Sequence, residues 1–139
     1  HKSDAITTVC QYILDNLEEY LSRKMLAKLV FMSEDYLSKQ FMRAVGMTLP
    51  AYIAQKRMEK AKELLEYPDI KIGKVAMRVG YSNFSYFSKT FHDYTGFTPN
   101  EWRMYHLHGT EDNRKEPGKN PERIANRSCG LRPVYALPH

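Results

Sequence analysis

The chain has 139 residues, 42% of them hydrophobic, and a formal net charge of +5. That length suits one domain or two very small ones sharing a core, and the mild basic excess allows an anionic partner without requiring one. No apolar run approaches the roughly 20 residues that span a bilayer, and no signal peptide is visible, so a membrane partner is not expected.

Ser3 to Leu21 carries Ile6, Val9, Cys10, Ile13, Leu14, Leu17 and Leu21 at steps of three and four. Those steps predict an amphipathic helix, with Ser3 or Asp4 as N-cap. Cys10 and Cys129 are too few and too far apart for a zinc site or a disulfide framework. Cys10 falls on the apolar helix face as an inert buried thiol, and a reducing cytoplasm fits.

A short helix is expected over about Lys24 to Val30, then a turn at Phe31-Met32-Ser33. Ser33 can cap a helix running to Val45, where Glu34 and Asp35 meet the positive end of the helix dipole. Gly46 ends it as a left-handed C-cap. Leu49 to Glu66 reads as a longer helix with Pro50 in its first turn, broken by Tyr67-Pro68-Asp69. Ile72 to Val79 is another short helix, and Gly80-Tyr81-Ser82 is its turn. Asn83 to about Tyr94 is a helix stopped by Gly96, and Pro99 to about Tyr105 is the last. The fold class is therefore all-α: seven helices, forming two helix-turn-helix subdomains joined by a long linker helix. The expected domains are 1–48, the linker helix 49–66, 67–108, and a mostly disordered tail over 109–139 rich in Gly, Pro, Asn and charge. The alternative for the tail is a vector remnant or a frame artefact. His1 in place of Met marks the chain as a candidate piece of a longer protein.

One helix is written nearly twice. Tyr36-Leu37-Ser38-Lys39-Gln40-Phe41 lines up with Tyr86-Phe87-Ser88-Lys89-Thr90-Phe91, Gly46 with Gly96, and Thr48 with Thr98. Each copy follows a short helix and a tight turn, the helix-turn-helix arrangement, whose second helix can enter a DNA major groove. Leu37, Phe41, Phe87 and Phe91 are core by spacing. The opposite faces offer Glu34, Asp35, Ser38, Lys39, Met42 and Arg43 on the first copy, and Asn83, Phe84, Ser85, Ser88, Lys89 and His92 on the second. Short hydroxyls and amides with one or two cations suit a groove floor flanked by phosphates. A linker helix of about 18 residues is ~27 Å long at ~1.5 Å per residue. Successive major-groove faces lie ~34 Å apart, so a strut of that length can hold two recognition helices near adjacent grooves.

At these residues the sequence resembles the AraC/XylS family of bacterial transcription regulators, over about Ile6 to Arg103. The likeness is most specific in RMEKAKELL (57–65) and in VAMRVGYSNFSYFSKTFHDYTGFTPNEWR (75–103). The resemblance implies binding to double-stranded promoter DNA in the cytoplasm on the bacterial nucleoid, with activation through RNA polymerase. It also implies regulation by an amino-terminal sensor or receiver domain. By likeness, base reading falls on Asp35, Ser38, Lys39, Met42 and Arg43 in the first unit, and on Asn83, Phe84, Ser85, Ser88 and Lys89 in the second. Ser33 and Ser82 look like phosphate contacts, and Arg57 and Arg103 match structural positions. Asp35 can accept from a cytosine, or it and Glu34 can be capping acids facing away. Phe84 can touch a thymine methyl or pack on a neighbouring helix. Phe31 and Met32 fill the first turn where the second has Gly80 and Tyr81, so the first unit departs from the family pattern.

An enzyme is not expected. There is no Gly-rich phosphate loop and no Ser/His/Asp set in a recognisable context, so no catalytic residue or cofactor is assigned. His106 and His108 alone are a weak metal pair, and no metal site is assigned. The alternative reading is a helical protein–protein interaction module with little DNA affinity, which burial or internal pairing of Lys39, Arg43, Ser82 and Lys89 would favour.

Overall fold

The computed structural model describes residues 2–107, with side chains from Asp4 onward. The expected tail, Cys129 and His108 lie outside the described residues. Seven helices follow in order: α1 (Lys2–Asp15), α2 (Arg23–Leu29), α3 (Glu34–Val45), α4 (Leu49–Leu65), α5 (Ile72–Arg78), α6 (Phe84–Thr95) and α7 (Pro99–Leu107). The fold is all-α. Among the described residues no helix is long and apolar enough to cross a membrane.

Most helix ends follow from local side chains. The Ser33 hydroxyl accepts from the Tyr36 N–H at 3.1 Å and starts α3. Gly46 and Gly96 end α3 and α6 in the left-handed conformation. Thr98 and Glu101 exchange side-chain-to-backbone bonds at 2.9 and 3.1 Å, a capping box that starts α7.

Several boundaries differ from the sequence expectation: α2 begins at Arg23, α7 runs on to Leu107, and three others bear on the caps and the core. The apolar steps predict a first helix to Leu21, but α1 stops at Asp15. There Asn16 turns its side-chain amide back onto the Tyr12 carbonyl at 2.8 Å, and its N–H takes the tighter bond to Ile13. Leu17 is nonetheless buried, so a non-helical turn continues the apolar period. At the other end α1 already runs from Lys2, which places Ser3 and Asp4 inside the helix rather than at its cap. Asn83 is the N-cap of α6 rather than its first turn, accepting from the Tyr86 N–H at 2.9 Å.

The described residues fall into two compact units that divide inside α4, between Lys56 and Arg57. In the first unit Val9, Ile13, Leu26, Leu37 and Phe41 are completely buried or nearly so, and Tyr52 meets Phe41 edge-on at 5.3 Å. Each such side chain removed from water contributes about 1.5–3 kcal/mol. The second unit has its own core of Met58, Leu65, Val75, Val79, Phe87, Phe91, Phe97 and Trp102. Its rings form a run: Phe87, Phe91 and Trp102 lie at 5.9 Å centroid steps, and Phe97 meets Trp102 at 5.9 Å. Thr95 is fully buried but satisfied, its hydroxyl lying 2.8 Å from the Phe91 carbonyl and 3.0 Å from the Phe97 N–H.

Candidate nucleic-acid interface

In both units the same turn sets the exposed helix against the one before it. In the first, the N–H of Phe31 donates to Lys28 and that of Met32 to Ala27, at 3.2 and 3.0 Å. In the second, the N–H of Gly80 donates to Met77 and that of Tyr81 to Ala76, at 3.0 and 2.9 Å. These paired bonds are the Schellman arrangement, which requires a left-handed residue just past the helix. Gly80 supplies it at φ 92°, and Phe31 supplies it at φ 58°. The departure noted in the sequence is therefore one of residue type, and the turn geometry is kept.

Arg103 fastens the second unit. Its guanidinium donates to the carbonyls of Leu65 (2.9 Å), Tyr67 (3.0 Å) and Ile70 (2.6 Å), closing the carboxyl end of α4 and the loop beyond it. Arg57 lies over the Tyr81 ring at 5.7 Å. Burial pushes the Tyr81 phenol up to about 12, against the opposing pull of Arg57, so Tyr81 stays neutral. Both arginines thus act within the fold.

On α3, Asp35, Ser38, Lys39, Met42 and Arg43 follow one another at steps that place them on one face. Asp35, Lys39, Met42 and Arg43 are exposed and Ser38 is half-buried. Ser33 is exposed at the cap. On α6, Phe84, Ser85, Ser88 and Lys89 form the matching face, with Ser82 and Asn83 ahead of it. All are exposed except the half-buried Ser88. The structure thus brings the expected residues together within each unit.

Three details refine this picture. Cap duty occupies one oxygen each of Ser33 and Asn83, leaving the Ser33 hydroxyl hydrogen and the Asn83 amide N–H groups to donate outward. Phe84 is half-exposed, with its ring 6.3 Å from Phe87 on the same helix. Glu34 is paired with Arg23 at 3.2 Å. By contrast, none of Asp35, Lys39, Arg43 and Lys89 is in an ion pair among the described residues.

The residue that sequence reasoning missed is Arg23, the first of α2. Besides its Glu34 bond, it donates from Nη1 to the Ser38 hydroxyl at 3.4 Å. With Lys39 and Arg43 it lines a groove of about 730 Å³, together with Met42, Leu49 and Pro50. Its distance in sequence from α3 left no local signal.

Among the described residues there is no group of three or more metal-ligating side chains. The model of a helix-turn-helix domain matches residues 26–105. An uncharacterized HTH-type transcriptional regulator of Staphylococcus aureus is 35% identical over 100 residues, which are 72% of this chain and 13% of that protein. The chain thus spans a small part of that relative's length. The C-terminal domain of AraT, a response regulator from Geobacillus stearothermophilus, superposes with a TM-score of 0.69 at 32% identity, covering 72% of this chain and 84% of that one. An AraC-type transcriptional regulator from Chromobacterium violaceum gives a TM-score of 0.70 at 25% identity, over 77% of this chain and 96% of that one. Paired helix-turn-helix units, the repeated recognition helix and these likenesses agree: the chain belongs to the AraC-type family of helix-turn-helix DNA-binding domains, whose members are transcription regulators rather than enzymes.

Proposed function

We propose that the chain reads promoter DNA in a sequence-specific way, with α3 and α6 in successive major grooves. The observation that carries this reading is the pair of matching faces, each with hydroxyls and with cations that have no acid partner among the described residues. Lys39, Arg43, Ser82 and Lys89 are exposed, which disfavours the interaction-module alternative. Ser38, Lys39, Met42, Arg43, Ser85, Ser88 and Lys89 are the groove-facing set, with Asp35 and Phe84 at their leading ends. Asn83, at the cap of α6, joins the base-reading set, and Ser33 and Ser82 hold phosphates from the turns. The 17 residues of α4 are about 26 Å long, comparable to the spacing of successive major-groove faces. Partition into residues 1–48, a linker and 67–108 is the domain reading that goes with it.

The family likeness supports a wider role. Activation through RNA polymerase, a place on the nucleoid in the cytoplasm, and control by an attached sensor or receiver domain are parts of the same proposal. The likeness to a response regulator's C-terminal domain supports the last of these.

The test is selection of bound sequences from a randomised duplex pool at low and near-physiological salt. Two enriched blocks about 10 base pairs apart are expected. Binding that is salt-sensitive but sequence-blind would reduce the interaction to phosphate contacts. Replacing Lys39 and Lys89 together by Ala should weaken binding sharply, and unchanged affinity would overturn the reading.

A further inference from the structure

Arg23 belongs to α2, ahead of the recognition helix, yet its guanidinium is held over the exposed face of α3. Nε donates to Glu34 Oε1 at 3.2 Å and Nη1 to Ser38 Oγ at 3.4 Å. These two anchors fix a long side chain that would otherwise sample many rotamers, and they leave the rest of its five donors unused. The groove beside it is lined by three cations, Arg23, Lys39 and Arg43, and by no acidic residue. Met42, Leu49 and Pro50 supply apolar surface within it.

At about 730 Å³ the groove is far larger than a single inorganic anion. Cations and apolar atoms along one groove match the two chemistries of a nucleic-acid strand, charged phosphate oxygens and deoxyribose carbons. Resting on the DNA-binding reading of α3, we propose that the Arg23 side of this groove, next to the base-reading face of α3, seats one strand of the sugar–phosphate backbone, and that Arg23 donates to one of its phosphates. The arrangement also explains how Glu34 is tolerated at the DNA face, because Arg23 neutralises it. It is confined to the first unit. By the offsets of the repeat, Arg23 corresponds to Ile72 and Glu34 to Phe84, so the second unit has neither partner of the pair.

The experiment uses the full chain and a duplex that the unaltered chain selects. Arg23→Gln should weaken binding about tenfold at 0.1 M salt and make the slope of log K against log salt shallower by about 0.9, one phosphate contact. The selected sequence should not change. Scanning the duplex with single neutral methylphosphonate linkages should then find a phosphate whose loss weakens the unaltered chain but not Arg23→Gln. Arg23→Lys keeps the charge and should restore most of the slope, which separates a phosphate contact from damage to the α2–α3 packing. An Arg23→Gln chain with the original slope and methylphosphonate pattern would overturn the seat while leaving DNA recognition standing. If the unaltered chain binds no duplex at all, both readings fall.

Discussion

Phe31 is the most strained residue of the turn that orients α3. Its φ of 58° is left-handed, which costs an L-residue with a side chain about 1–2 kcal/mol. Its ring is 95% exposed, so burial returns nothing. The conformation is imposed by the two Schellman bonds on either side. Replacing Phe31 by Gly should therefore raise stability by about 1 kcal/mol, after allowing for the greater freedom of Gly in the unfolded chain. Gly80→Ala should lose about as much for the mirror reason. Urea denaturation of the two variants checks both signs. His106 gives a second expectation. Burial lowers its pKa, assisted by Lys62 and opposed by Glu66, while its ring stacks on Trp102 at 4.3 Å. Below about pH 6.5 the unfolded chain takes up a proton before the folded one does. Stability should thus fall as pH drops through that value, and His106→Gln should flatten the difference in denaturation midpoint between pH 7.5 and pH 5.5.

At the level of the helix, caps decide where each recognition element begins. Ser33→Ala and Asn83→Ala should each cost about 1 kcal/mol, and chemical denaturation reads it directly. The Ser33 start and the Gly46 and Gly96 stops were legible in the sequence because their chemistry is local. A hydroxyl or amide three residues ahead of an orphan N–H, or a Gly after the last apolar step, carries its instruction within one turn. The repeat made the two exposed faces legible for the same reason, since helical periodicity fixes which residues share a side. The end of α1 was not legible. Its apolar steps run on to Leu17 and Leu21, and only the fold of Asn16 onto Tyr12 shows that the burial is continued without a helix. Nor was Arg23, whose partners lie on another helix and are chosen by the packing of α2 against α3. Periodicity could show which side of α3 and α6 is free, but not which base each side chain would meet.

At the largest scale, α4 is the element that runs through both units. One Ala inserted after Lys56 would turn everything beyond it by about 100° and advance it ~1.5 Å. The insertion falls between the two cores, so each unit keeps its own packing. Affinity for a two-block duplex should drop at least about 100-fold, as linked binding is lost, while affinity for a single block stays near its original value. Titration of the variant on both duplexes checks this, and retained two-block affinity would show that α4 does not act as a ruler. The sequence contains one tryptophan, and Trp102 lies in the core of the second unit. Its indole emission is a built-in reporter on that unit alone, and the first unit is dark in the same channel. Helical circular dichroism sums over both. Melting curves from the two signals would coincide if the units unfold as one cooperative body and separate if either melts first.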